Sequence, residues 1–248
     1  MMDFNKIITA QKKIDAHSHV GYFGDWSDVG ITAEELVKQM DDYNVEKAVI
    51  ATFPVKESIE AVDRYPDRFA GAAWVNPMDP NACDIIRDAV KNHGFKAIKL
   101  HPLIHAFRPT DECVFPIAEL AQELDIPLTF HTGHPPHSLP WAVAEVADRY
   151  PDLKILMIHM GHGNGIYVQS AVDMARKYPN VYLETSGVSM ANKVKEVYET
   201  IGPDRVMWGL DAPFHIPAAE ILKIALCGLN DKQLEDVFYN NAKKFYNL

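Results

Sequence analysis

Histidine is the residue type to start from. The chain carries 11 of them, and a near-neutral imidazole can ligate a metal, carry a proton or donate a hydrogen bond. His17 and His19 are two apart in the apolar segment 14–20, so on a β-strand both rings point to one side and can share a cation. Taken alone, so short a pattern equally fits two incidental polar side chains. His131, His159 and Asp211 shift that balance. Each closes an apolar run, where an unpaired imidazole or carboxylate is costly to bury and a shared cation removes the cost. Lys99 and His101 form a second i, i+2 pair on one strand face and are candidates to orient an anionic group. Arg108, in the loop 102–110, has a planar fork suited to a substrate carboxylate, with a surface ion pair as its competing use.

Other groups have more than one reading. Glu184 shares a strand face with Ser186 and either pairs with Lys99 or lies outside the strand layer. Asp15 is expected to face away from His17 and His19 and to hold a helix or loop. His134, His137, His162 and His215 fall on loops, as solvated surface residues or as contacts to substrate or a second metal. Tyr22, Phe23 and Trp26 form either an apolar lid or rim packing. The stretch Gly161-His162-Gly163-Asn164-Gly165 lacks a Walker lysine and Rossmann spacing, so it reads as a tight turn. No GxSxG nucleophile elbow is present.

These residues need a scaffold that gathers them. Eight apolar or β-branched runs, at 14–20, 47–54, 69–76, 95–101, 127–132, 154–161, 181–186 and 205–211, read as strands. Helical patterns separate them, as at 32–43, where Thr32 and Glu35 make a capping box and Leu36, Met40 and Tyr43 recur on one face. Arg64-Tyr65-Pro66-Asp67, Arg149-Tyr150-Pro151-Asp152 and Lys177-Tyr178-Pro179-Asn180 echo one another, each ending a helix before a strand. Eight such units in 248 residues predict an α/β fold, a (β/α)8 TIM barrel forming one domain over 1–248. Residues 231–248 are left as a closing helix whose Leu234, Val237, Phe238 and Phe245 pack inward. In this arrangement all histidines except His93 lie at strand C-terminal ends or in the loops that follow, the face where such barrels carry their active sites.

The set Asp15-Ala16-His17-Ser18-His19, Lys99-Leu100-His101-Pro102, Phe130-His131-Thr132-Gly133, Ile158-His159-Met160-Gly161 and Gly209-Leu210-Asp211-Ala212-Pro213 resembles the amidohydrolase superfamily. The likeness is to its amidohydrolase-related branch, which includes aminocarboxymuconate-semialdehyde decarboxylase. It extends to Asn240-Asn241-Ala242-Lys243-Lys244-Phe245. The resemblance implies that His17, His19, His131 and Asp211 bind the metal, with His159 beside it as a catalytic residue or ligand. Three imidazoles and a carboxylate suit zinc and admit manganese or iron. One metal is favoured over a binuclear site bridged by a carboxylated Lys99, and no organic cofactor is expected.

Composition bounds the rest. With 24 Lys+Arg against 34 Asp+Glu the net charge is −10, which disfavours nucleic acid and anionic membranes as partners. Three scattered cysteines, no membrane-length apolar run and no secretory leader pattern make a cytoplasmic location the expectation. A homo-oligomer stays open. The leading expectation is a metal-dependent hydrolase that turns activated water on a small ester, lactone or amide-like, carboxylated substrate, with Asp211 and His159 catalytic and Lys99, His101, Arg108, His134 and His162 around the substrate. The alternative is non-oxidative decarboxylation of an aromatic or enoic acid by the same residues. The short chain argues against it, since little inserted loop is available to wall an aromatic pocket. A catalytically silent metal- or ligand-binding protein on this scaffold is the reading from another class.

Overall fold

Each of the eight apolar runs becomes a strand in the computed structural model, which describes residues 3–24 and 27–248. The strands are β1 (Lys13–Ser18), β4 (Val45–Ile50), β5 (Phe69–Trp74), β6 (Ala97–Leu100), β7 (Leu128–His131), β8 (Ile155–Ile158), β9 (Val181–Glu184) and β10 (Val206–Met207). They pair in parallel in chain order. The loop after β1 also forms a small antiparallel hairpin, β2 (Gly21–Phe23) with β3 (Val29–Ile31), too short to register as a pattern in the sequence. Trp26 lies outside the described residues.

Helices α2 (Ala33–Asp42), α3 (Lys56–Arg64), α4 (Ala82–His93), α5 (Phe115–Glu123), α6 (Pro140–Arg149), α7 (Gly165–Lys177) and α8 (Ala191–Thr200) alternate with the strands, after a leading α1 (Phe4–Ala10). The capping box of Thr32 and Glu35 is present at the start of α2, where it satisfies two otherwise orphaned N–H groups. Beyond β10 follow α9 (Pro217–Ala225), α10 (Asp231–Glu235) and α11 (Asn241–Tyr246), the last two joined by a π-helical turn at Asp236–Asn240.

The first and last strands meet through irregular backbone bonds: Ala16 N–H to Trp208 O (3.1 Å), Asp211 N–H to His17 O (2.7 Å) and His19 N–H to Ala212 O (2.8 Å). The barrel therefore closes where two of the site's elements lie. The last strand is only two residues long because Trp208 N–H turns to Val237 O (2.9 Å) and Leu210 N–H is taken by Asp15 Oδ1 (2.8 Å).

Apolar packing falls in two layers. An outer one fills the space between strands and helices. An inner one is rich in small residues, Ala16, Ala51, Ala70, Ala72 and Ala97, and Phe245 and Tyr246 of α11 floor it. Leu234, Val237, Phe238 and Phe245 are all buried, as the sequence reading expects of the closing segment. Among the described residues no helix is long and apolar enough to cross a membrane.

Candidate active site

The strand C-terminal ends surround a cavity of about 200 Å³. His17 and His19 enter it from β1, Lys99 and His101 from β6, His131 and His134 from β7 and its loop, His159 and His162 after β8, and Asp211 and His215 after β10. Phe23, Trp74, Ile104 and Phe214 supply the apolar wall.

Backbone partners fix which ring nitrogen carries hydrogen. His19 Nδ1 lies against the Ala51 carbonyl, which can only accept, so its hydrogen is on Nδ1 and its Nε2 lone pair faces Asp211 Oδ1 at 3.0 Å. Two acceptors at that distance stay together only around a proton or a metal ion. The same Asp211 oxygen is 3.5 Å from His17 Nε2, which in turn sits 3.5 Å from Lys99 Nζ. His159 Nδ1 is 2.9 Å from Ser186 Oγ and 3.3 Å from the Ser186 carbonyl, so it too carries hydrogen on Nδ1 and leaves Nε2 as a donor of electrons. Ligand atoms of His17, His159 and Asp211 lie within 4.8 Å of one another, so this trio can hold a metal ion.

Burial sets the charge of these groups. Desolvation, then the Lys99 charge, holds His17, His101 and His159 well below the usual imidazole range, and desolvation, followed by the neighbouring His101 and His159, does the same for His131. Neutral imidazoles are the form that binds metals. Burial brings the Lys99 ammonium down to about 7, against the Asp211 and Glu184 carboxylates, which favour its charge. His162 is pulled to about 4 by burial, whereas Glu220, 3.4 Å from His215 Nδ1, raises His215.

Two carboxylates brace the strand ends from behind. Asp15 accepts from His17 N–H (3.1 Å), Leu210 N–H (2.8 Å) and the Ser18 hydroxyl (2.5 Å), and Ser18 Oγ accepts from Ala212 N–H (2.9 Å). Glu184 accepts from His159 N–H (3.1 Å), Ser186 N–H (2.5 Å) and the Ser186 hydroxyl (2.7 Å). The backbone is strained at the same place. His159, Met160, His162 and Asp211 all have positive φ, between 44° and 68°. Such values in non-glycine residues concentrate at functional sites. Gly161 (φ 84°) permits this turn, since a Cβ there would collide with the Tyr167 carbonyl.

A profile of the amidohydrolase family matches residues 14–248. The chain belongs to that family. Among curated proteins, gamma-resorcylate decarboxylase from a Polaromonas species is 25% identical over 209 residues, and the match covers 62% of this chain and 63% of the relative, less than two thirds of its length. A 5-carboxyvanillate decarboxylase from Novosphingobium aromaticivorans, solved with manganese and 4-hydroxy-3-methoxy-5-nitrobenzoic acid, has a TM-score of 0.78 at 19% identity over 100% of both chains. A dihydroxybenzoic acid decarboxylase from Polaromonas, solved with manganese and the inhibitor 2-nitroresorcinol, has a TM-score of 0.72 at 20% identity over 96% of this chain and 97% of that one. A putative amidohydrolase from Staphylococcus aureus scores 0.76 at 17% identity, over 96% of this chain and 100% of that one.

In this member of the amidohydrolase family the residues singled out in the sequence separate by position. His17, His19, His159, Asp211 and Lys99 form one contiguous cluster. His131 lies beside it with its Nε2 turned 2.8 Å from His134 Nδ1, and His134 and His162 rings stand 4.4 Å apart. Arg108 is exposed and does not line the cavity; its own N–H is tied to Asp111 (2.7 Å). Glu184 makes no ion pair with Lys99 and instead braces β9 and His159. Asp15 does face away, into a small space under α2, because a register irregularity between Asp15 and Ser18 breaks strict alternation. His105 and His137 do not line the cavity, although the His105 ring lies 6.2 Å from that of Trp74, and His93 pairs with Asp63 on the surface (2.9 Å). Phe23 does line the cavity, while Tyr22 points outward. Trp74, Ile104 and Phe214 are wall residues that the sequence reading missed. Their only signal is adjacency to the strand ends, and aromatic residues there usually just pack.

Proposed function

We propose that this protein is a metal-dependent, non-oxidative decarboxylase of a small aromatic or enoic acid, built on residues 1–248 as one catalytic unit. The observation that carries the reading is a cluster of electron-donor atoms, His17, His19, His159 and Asp211, at the floor of a cavity walled by Phe23, Trp74 and Phe214. Aromatic side chains from β5 and from the loops after β1 and β10 line a cavity of about 200 Å³, which weakens the objection that so short a chain has no loop to wall an aromatic pocket. The decarboxylases among the relatives, two of them solved with manganese and substituted phenols, support the same choice.

The donors fit a divalent ion. His17, His159 and Asp211 would hold it, with His19 sharing the Asp211 oxygen, and this mixed nitrogen and oxygen set accepts manganese, zinc or iron. When bound, the ion polarises a substrate oxygen as a Lewis acid. The chain's own residues do the remainder. Lys99 balances the substrate's negative charge from the buried layer below, and the aromatic wall flanks the ring and excludes water. Asp211 brings the proton to the ring carbon that bears the carboxylate; His215, 3.9 Å from Asp211 Oδ2, stands beside it on the solvent side. As that carbon is protonated, its bond to the carboxylate breaks, the electron pair returns to the ring and carbon dioxide leaves.

The test is direct. Manganese-loaded protein is incubated in D2O with 2,6-dihydroxybenzoate and other hydroxylated benzoates, alongside a panel of esters and lactones. Carbon dioxide released one-for-one with an arene carrying a single deuterium is the expected result, abolished by a chelator and restored by manganese. Turnover of esters or lactones with no carbon dioxide from any acid would return the site to hydrolysis.

A further inference from the structure

We infer that His101 is a substrate hydrogen-bond donor set apart from the metal cluster by its locked tautomer, and that it reads an anionic oxygen of the bound acid. This deepens the decarboxylase reading and rests on it for the substrate class.

The loop after β6 sets the state of the His101 ring. Ile104 N–H points at His101 Nδ1 (3.2 Å). A backbone N–H can only donate, so Nδ1 is the acceptor and the hydrogen of a neutral ring is on Nε2. This is the reverse of His19 and His159, whose Nδ1 atoms face the Ala51 and Ser186 carbonyls. The cavity thus contains two kinds of imidazole. His19 and His159 present lone pairs, as a cation requires; His101 presents an N–H, which repels a cation and attracts an anion.

The ring is also held in place. One face stacks on Trp74 (5.4 Å between centroids, 15° between planes) and the other on His131 (3.9 Å, 17°). Nδ1 is occupied, the ring cannot swing between its neighbours, and among the described residues Nε2 has no hydrogen-bond partner although the residue lines the cavity. Lys99, two residues earlier on the same strand, places its ammonium in the layer below. The strand therefore offers one charged and one neutral donor toward the same space. Ile104 itself forms part of the apolar wall, so a single short loop shapes the wall and fixes the tautomer.

The experiment uses manganese-loaded full-length protein and two probes, benzoate, which offers only a carboxylate, and resorcinol, which offers only hydroxyls. His101→Phe keeps a ring between Trp74 and His131 and removes both nitrogens; His101→Gln restores an N–H near the position of Nε2. Bound manganese is measured by elemental analysis and probe affinity by calorimetry, neither of which depends on turnover. The expected result is unchanged manganese stoichiometry in both variants, a tenfold or greater loss of affinity in His101→Phe for at least one probe, and recovery in His101→Gln. Loss for benzoate alone assigns the N–H to the carboxylate, and loss for resorcinol alone assigns it to a hydroxyl. Nitrogen-15 spectra of the protein loaded with diamagnetic zinc should show the His101 hydrogen on Nε2 and those of His19 and His159 on Nδ1. The inference is overturned if manganese is lost with His101, if neither probe distinguishes the wild type from the Phe variant, or if the hydrogen is on His101 Nδ1. Should this binding pattern hold while no acid is decarboxylated, the reaction assignment fails and the donor role stands.

Discussion

Asp211 occupies the point where the site and the barrel closure coincide. Its carboxylate reaches His17 and His19, and its backbone N–H binds His17 O across the seam at 2.7 Å. Its φ of 60° is a conformation that asparagine tolerates at least as well as aspartate. Asp211→Asn should therefore keep the seam while removing the proposed proton carrier and an anionic metal donor. We expect turnover to fall by at least about 10²-fold with bound manganese reduced, and a urea midpoint close to that of the wild type. A variant that kept its activity would exclude Asp211 from the chemistry.

At the scale of elements, the ends of β8 and β9 act together. Ser186 spends its hydroxyl hydrogen on Glu184 and so receives the His159 Nδ1 hydrogen, which fixes where the His159 lone pair points. Ser186→Ala should cost about 10–100-fold in metal affinity or kcat/KM, the usual effect of removing a residue that orients a ligand. Unfolding free energy should drop by only about 1 kcal/mol. Equal losses in stability and activity would instead make Ser186 a packing residue. The turn after β8 depends on its glycine for another reason. Gly161→Ala places a methyl group against the Tyr167 carbonyl at a positive φ, and we expect about 2 kcal/mol or more of destabilisation in urea unfolding, together with a displaced His159.

For the whole molecule, the floor of the barrel matters as much as its mouth. Tyr246 OH donates to Ala16 O (2.9 Å), and Phe245 and Tyr246 cap the inner layer beneath the site. At the start of β1, Lys13 is fully buried, donates to Gln11 O (2.6 Å) and Tyr43 O (2.9 Å), and lies over the Phe238 ring. Burial lowers its ammonium from 10.5 to about 8. Below pH 8 the folded and unfolded forms both hold the proton, and the cost of burying the charge is paid in full. Between about 8 and 10.5 the folded form has lost it while the unfolded form retains it, so this group's contribution to stability rises with pH. Measured against Lys13→Met, which keeps the stem's volume, wild-type stability should gain about 3 kcal/mol across that interval. A pH-independent difference would show that Lys13 titrates normally.

Much of this was legible in the chain itself. Eight apolar runs at regular spacing specify eight parallel strands, because burial on both faces demands near-continuous hydrophobic sequence. Histidines at the ends of those runs mark one face of a barrel. The edges were less legible: β10 shrinks to Val206–Met207 because its neighbours in space, Asp15 and Val237, take the next amides, and no local pattern reports that competition. Residue types and order alone determined the barrel and its histidine-rich end. Tertiary structure alone decided how the polar side chains are sorted: His131 toward His134, Arg108 away from the cavity, Glu184 behind His159, and His101 with its hydrogen turned opposite to that of His19. The physical reason is that an imidazole's role depends on which backbone group meets its far nitrogen, and that partner comes from a loop or strand distant in sequence or from a turn whose path only the fold sets.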